Sequence, residues 1–197
     1  MFHDLSLPLR TTIPASVQET FNKGFLISQG HVGTHLDRLL GSEIPLHYFK
    51  SRAVVFDVSG FCPDREVGTK DIAFELIQPG DFVMLHTGYV SRYGYGSQDY
   101  LKSSFDVSWD LVQHLLDRKL HYIGVDARGL RRNEEHLKVD EHCERAGVFV
   151  IENINDMEKL PVRKAFTVYT MCFDAGGTGL PCRIVAETAE EPDAVGM

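Results

Sequence analysis

Gly30-His31-Val32-Gly33-Thr34-His35-Leu36-Asp37 places two histidines and a carboxylate within seven residues. Imidazole nitrogen and carboxylate oxygen are the usual ligands of catalytic zinc, and they suit manganese and iron as well. On a regular strand His31 and His35 would share a face but stand roughly 13 Å apart, at about 3.3 Å per residue. One ion with bonds of about 2 Å cannot span that gap. The chain must therefore fold back, and Gly33-Thr34 is where it can, because glycine admits backbone angles closed to other residues. Beyond the turn an extended chain projects His35 and Asp37 to the same side. Each histidine alone would serve equally well on the surface of a glycine loop. The cluster as a whole reads as a divalent-metal site.

Composition narrows what surrounds that site. A chain of 197 residues is read as one domain over 1–197, with 190–197 as an acidic, frayed tail. Twenty basic against 28 acidic residues leave a net charge of −8 and no basic block, which argues against a nucleic-acid partner. No apolar run approaches the roughly 20 residues of a membrane span, and the N-terminus lacks the pattern of a signal peptide. The four cysteines stand singly, with no Cys-x-x-Cys pair. That pattern fits free thiols in a reduced, cytoplasmic protein.

Strand and helix patterns alternate through the middle of the chain. Apolar, β-branched runs at 53–58, 81–87, 121–126 and 148–151 read as buried strands. Ser108 or Asp106 caps an amphipathic helix that turns Leu111, Val112, Leu115 and Leu116 inward. Asn133 starts a charged helix running to about Arg145. Thr69 is placed to cap a helix through Ile77, and 88–104 reads as a polar, aromatic loop. Short strands are expected at 2–9 and 25–28, a loop at 11–18, and closing strands at 164–171 and 182–187. The sum is an α/β fold with a mixed sheet. Glu152 follows four apolar residues at a strand end, where a carboxylate is costly unless paired or metal-bound. Gly176-Gly177-Thr178-Gly179 lacks the Gly-Lys-Ser/Thr of a phosphate loop.

The 31–37 stretch also resembles the signature of the metal-dependent cyclase family, which includes bacterial kynurenine formamidases and isatin hydrolases. That signature reads His-x-Gly-Thr-His-x-Asp-x-Pro-x-His. His31 to Asp37 follow it, whereas Leu39 stands at its proline and Gly41 at its last histidine. Asp4-Leu5-Ser6, the segment from Gly80 to Gly88, Val150-Ile151-Glu152-Asn153 and the turn Gly179-Leu180-Pro181-Cys182-Arg183 resemble further family patterns, so the likeness spans nearly the whole chain.

The resemblance implies a swivelling β/β/α-type single domain and a metal-dependent hydrolase. Its substrates would be small amides, formamides, lactams or esters, and its cofactor Zn or Mn. It also implies a homodimer or larger homo-oligomer. His31, His35, Asp37 and Glu152 would hold one ion, and in the family the glutamate bridges to a second. Twelve residues before that glutamate the family places a histidine, and here Asp140 stands there, with His136 one helical turn away on the same face. The second site is left open at this point. The family's proton-relaying histidine is absent at Gly41 and the segment around it is shortened, so His47 is the candidate to replace it. Tyr89 and Tyr93, with Tyr95, offer a stacking wall for the substrate. The alternative is a catalytically impaired descendant that binds metal or a small ligand.

Overall fold

The structure is a computed structural model that describes residues 1–8, 29–103, 105–174 and 176–189. The expected loop at 11–18, the strand at 25–28 and the tail from 190 lie outside the described residues. Eight strands form one sheet: β1 (Phe2–Asp4), β2 (His35–Asp37), β3 (Lys50–Asp57), β4 (Phe82–His86), β5 (Tyr122–Val125), β6 (Phe149–Glu152), β7 (Phe166–Cys172) and β8 (Gly179–Glu187). Their order is β1-β8-β2-β6-β5-β4-β3-β7, and β7 also pairs with β8. The added pairing closes strands β2 to β8 into a seven-strand barrel. β1 lies beside the C-terminal half of β8, on the edge whose other half holds β2.

The pairing is mixed. β3, β4, β5 and β6 run parallel, and β2, β7 and β8 join antiparallel. The parallel strands are apolar on both faces, as strands covered from both sides must be. Period-2 alternation divides them between two cores. Val55, Met84, Tyr122 and Ile151 fill the barrel. Val54, Leu85, Ile123 and Val150 pack outward, under α3 (Trp109–Leu116) and α4 (Glu134–Arg145).

Helix α3 begins as its sequence requires: Ser108 Oγ accepts from the Leu111 amide, and all four expected apolar residues are buried. Two expectations need correction. Residues 69–77 make two short 3-10 turns, Thr69–Asp71 and Phe74–Leu76, in place of one helix. The Asp71 carboxylate binds the Gly68 amide and both guanidinium arms of Arg65, and Ile72 then returns to extended angles, which ends the helix before it can propagate. The aromatic stretch after Gly88 holds two one-turn helices, α1 (Tyr89–Tyr93) and α2 (Gln98–Lys102). Ser97 caps α2 through the Tyr100 amide, and burial of the Tyr89 and Tyr100 rings anchors both turns. No helix among the described residues is long and apolar enough to cross a membrane.

Candidate metal centre

The centre lies at the C-terminal ends of the parallel strands, where open crevices form in α/β sheets. Gly33, at φ +65, turns the chain back on itself. The His31 and His35 rings consequently meet edge to face, with centroids 5.0 Å apart. β2 then pairs with β6 so that His35 stands directly opposite Glu152. Leu36 points the other way, into the barrel core.

His31 Nδ1 lies 2.9 Å from Asp37 Oδ1, and His35 Nε2 lies 3.6 Å from both Asp37 Oδ1 and Glu152 Oε2. From the other side, His136 and Asp140, one turn apart on α4, converge on the same glutamate. His136 Nε2 is 3.4 Å from Asp140 Oδ2 and 3.4 Å from Glu152 Oε1. Glu152 therefore turns one oxygen to His35 and the other to His136. Two ligand groups result, each with its atoms within 4.8 Å of one another: His31, His35 and Asp37, and Asp37, His136, Asp140 and Glu152. Asp37 belongs to both. Space for His136 depends on Gly129, at φ +84, where an added Cβ would lie 2.4 Å from His136 Nδ1 and 2.9 Å from Glu152 Oε1.

Neighbouring groups orient the imidazoles. His35 Nδ1 is 2.9 Å from the Gly33 carbonyl, an acceptor, so that nitrogen carries the proton and Nε2 presents its lone pair to the cluster. Asn153 Nδ2 donates to the same carbonyl at 3.0 Å, and Asn153 Oδ1 accepts from the Tyr100 hydroxyl. His31 Nε2 meets the Thr178 hydroxyl at 2.8 Å, and donation to that hydroxyl leaves Nδ1 for the cluster. The Tyr95 hydroxyl accepts from the Gly33 amide at 2.9 Å and braces the turn.

The charge balance shows what the cluster lacks. Both oxygens of Asp37, both of Asp140 and Oε1 of Glu152 are buried and accept no well-directed hydrogen bond among the described residues. Buried polar atoms are rarely left so. Burial pushes the Asp140 carboxyl well above its usual range, and Asp37 and Glu144 add to the effect. Burial raises Glu152 in the same way, with Asp37 and Asp140 contributing. Burial would raise Asp37 too, but His35 and His31 outweigh it and hold that carboxyl low. Burial lowers His35 and keeps it a neutral donor. Imidazole nitrogens converging on buried carboxylate oxygens that accept no well-directed hydrogen bond among the described residues fit one or more divalent cations, and the oxygen-rich donor set suits manganese as well as zinc.

The remaining predicted residues lie elsewhere. His47 is not brought to the cluster. Its ring lies 5.2 Å from that of His121, just before β5, at the opposite end of the barrel strands from Glu152. Along β6 that is about 10 Å, at ~3.3 Å per residue. The Pro45-capped turn at Leu46–Phe49 carries His47 to that end. Tyr89 lines a cavity of about 580 Å³ next to His136. Tyr93 is not in the cavity wall and packs on the outer core, its ring 5.6 Å from that of Tyr89.

Gly41 also has an explanation. The shortened segment is held by Glu144, one turn beyond Asp140, whose oxygens accept from the Leu40 and Ser42 amides at 2.9 Å each. Gly41 sits between these anchors at φ +72 with open space around it. Replacing Glu144 by Ala strands both amides, and we expect a loss of about 2–3 kcal/mol in urea unfolding. An unchanged midpoint would show that the anchor is dispensable.

The roles of Thr178, Tyr100 and Glu144 are not legible in the sequence, and Asn153 stands out there only as part of the Val150-Ile151-Glu152-Asn153 pattern.

Known structures share this fold. The chain superposes on a structure described as a potential metal-dependent hydrolase with cyclase activity, with a TM-score of 0.70 at 21% identity, covering 94% of this chain and 96% of that one. It superposes on isatin hydrolase A from Ralstonia solanacearum with a TM-score of 0.68 at 20% identity, covering 79% and 71%. An isatin hydrolase bound to the product analogue thioisatinate gives 0.68 at 22%, with the same coverage. At these identities the likeness establishes the fold. No curated protein matches the sequence. The Cyclase family model matches residues 3–130, about two thirds of the chain, and the chain belongs to that family.

Proposed function

We propose that the protein is a metal-dependent hydrolase acting on the carbonyl of a small amide, formamide, lactam or ester. The observation that carries this reading is the set of buried carboxylate oxygens that accept no well-directed hydrogen bond among the described residues and converge with oriented imidazoles. His31, His35 and Asp37 would hold one divalent ion, and Asp37, His136, Asp140 and Glu152 a second. A divalent ion supplies, when bound, polarisation of the carbonyl and a water acidic enough to attack near neutral pH. The Gly33 carbonyl fixes the His35 tautomer, Thr178 fixes His31, and the Asn153–Tyr100 pair holds the turn that carries both.

General acid–base assistance is the weak point. Gly41 has no side chain to titrate, and His47 lies at the far end of the strands. Such assistance contributes a factor of about 10²–10⁴. We therefore expect the metal-loaded protein to cleave activated aryl esters and strained rings in preference to N-formylkynurenine, whose amine leaving group needs a proton. Efficient formamide turnover would show that another base serves the site.

The open position at Gly41 also favours a second reading, a protein that binds metal or a small ligand without turnover. Metal content after native purification, followed by a panel of esters, lactams and formamides, separates the two. Bound metal with ester turnover supports the hydrolase. Bound metal with no turnover supports the binder. A protein that takes up no metal overturns both.

A further inference from the structure

We infer that the cavity beside His136 is a binding site for an anionic group of the substrate, with Arg128 as its recognition residue. The inference rests on the hydrolase reading and names the substrate class of that same centre. The cavity's volume of about 580 Å³ is within the range that holds small ligands. Its wall includes His136, so a molecule in it reaches the metal ligands directly.

The lining chemistry selects the occupant. Lys102, Arg128 and Arg132 all face the cavity, and no Asp or Glu among the described residues lines it, in a chain whose net charge is −8. Arg132 is already committed, with Nε 2.7 Å from Asp106 Oδ2. Neither Arg128 nor Lys102 has a carboxylate partner among the described residues. Arg128 Nη1 donates to the Leu101 carbonyl at 2.9 Å, which fixes the guanidinium plane and leaves its other N–H groups for a ligand. A fixed guanidinium matches a carboxylate in a bidentate fashion, which a lysine cannot do. Arg128 and His136, a member of the ligand cluster, line this one cavity. A carboxylate held there belongs to the same molecule as the carbonyl under attack.

The test is a calorimetric titration of benzoate, with benzamide as the neutral isostere. It uses metal-free and metal-loaded protein, wild type, Arg128→Gln and Arg128→Lys. We expect benzoate to bind more tightly than benzamide in both metal states. Arg128→Gln should lose about 10- to 100-fold in benzoate affinity and Arg128→Lys less, with benzamide unaffected by either, as for a charge-assisted hydrogen bond. Arg128 is exposed, so neither replacement threatens the fold. Equal affinity for the two ligands, or benzoate binding that Arg128→Gln leaves unchanged, overturns the inference. So does benzoate binding that appears only with metal, because the carboxylate is then on the ion. These readouts need no turnover. Arg128-dependent benzoate binding by a protein inert toward every ester would uphold the anion site and overturn the hydrolase, and the reverse pair of results would do the opposite.

Discussion

Asp37→Asn is expected to remove metal from both ligand groups at once. Asp37 is the one residue the two groups share, and neither of its oxygens accepts a well-directed hydrogen bond among the described residues. The amide keeps the shape and one acceptor but loses the charge. Loss of an outer-sphere partner alone typically costs about 10–100-fold in metal affinity, and loss of a shared direct ligand should cost more. Ester hydrolysis should fall to the background rate. A ligand that binds only the folded state stabilises it by about 2.7 kcal/mol at a hundredfold excess over Kd. That metal-dependent rise in melting temperature should vanish in the variant, while its far-ultraviolet circular dichroism stays native. Elemental analysis showing full occupancy in Asp37→Asn would refute the ligand assignment.

The metal-free protein should lose stability as pH rises, the reverse of ordinary acid denaturation. Asp140 and Glu152 have raised carboxyl pKa values in the folded, metal-free chain, chiefly through burial. In the unfolded chain they titrate near the ordinary values of about 3.9 and 4.3. Below those values both states are protonated and nothing differs. Above them the unfolded chain releases protons that the folded chain retains, so stability falls as pH rises. The fall continues until the raised folded values are passed. His35 works the other way below about pH 6.5, because the unfolded imidazole takes up a proton that the buried one refuses. The clearest window therefore lies above pH 6.5. Urea unfolding in chelator should show the decline there, and saturating metal should flatten it. Glu152→Gln should remove one group's share of the slope. A metal-free protein that gains stability from pH 6.5 to 8 would contradict the burial of these carboxylates as protonated acids.

The parts of this site legible in the sequence were those set by local geometry. The glycine turn, the shared face of His35 and Asp37, and the pairing of His136 with Asp140 along a helix all follow from spacing. The parallel strands and α3 were readable from apolar patterning for the same reason. Whether the helix carrying Asp140 faces β6 is a question of packing between segments, and spacing does not answer it. Arg128 illustrates the limit: it follows a strand like any loop residue, and only the path of α2 beside it makes a cavity. His47 fails on the same ground, because the turn that carries it docks at the far end of the barrel. The 69–77 segment shows propensity overridden by tertiary contact, through the Asp71 pairing with Arg65.

β2 is three residues long, yet it fills the gap between β6 and β8. Both of its partners lie more than a hundred residues later in the chain. The parallel strands β3 to β6, by contrast, each pair with a near neighbour in sequence. Contacts across long chain separations are entropically costly to close and weigh on the late part of folding. Insertion of β2 both completes the ring of strands and brings His35 and Asp37 to Glu152. That separation makes late assembly of the centre the expected order of folding. An ion that binds only after that step stabilises contacts absent from the transition state, so it should slow unfolding and leave the refolding rate unchanged. Persistence of the native state, more than speed of reaching it, is what the metal would supply.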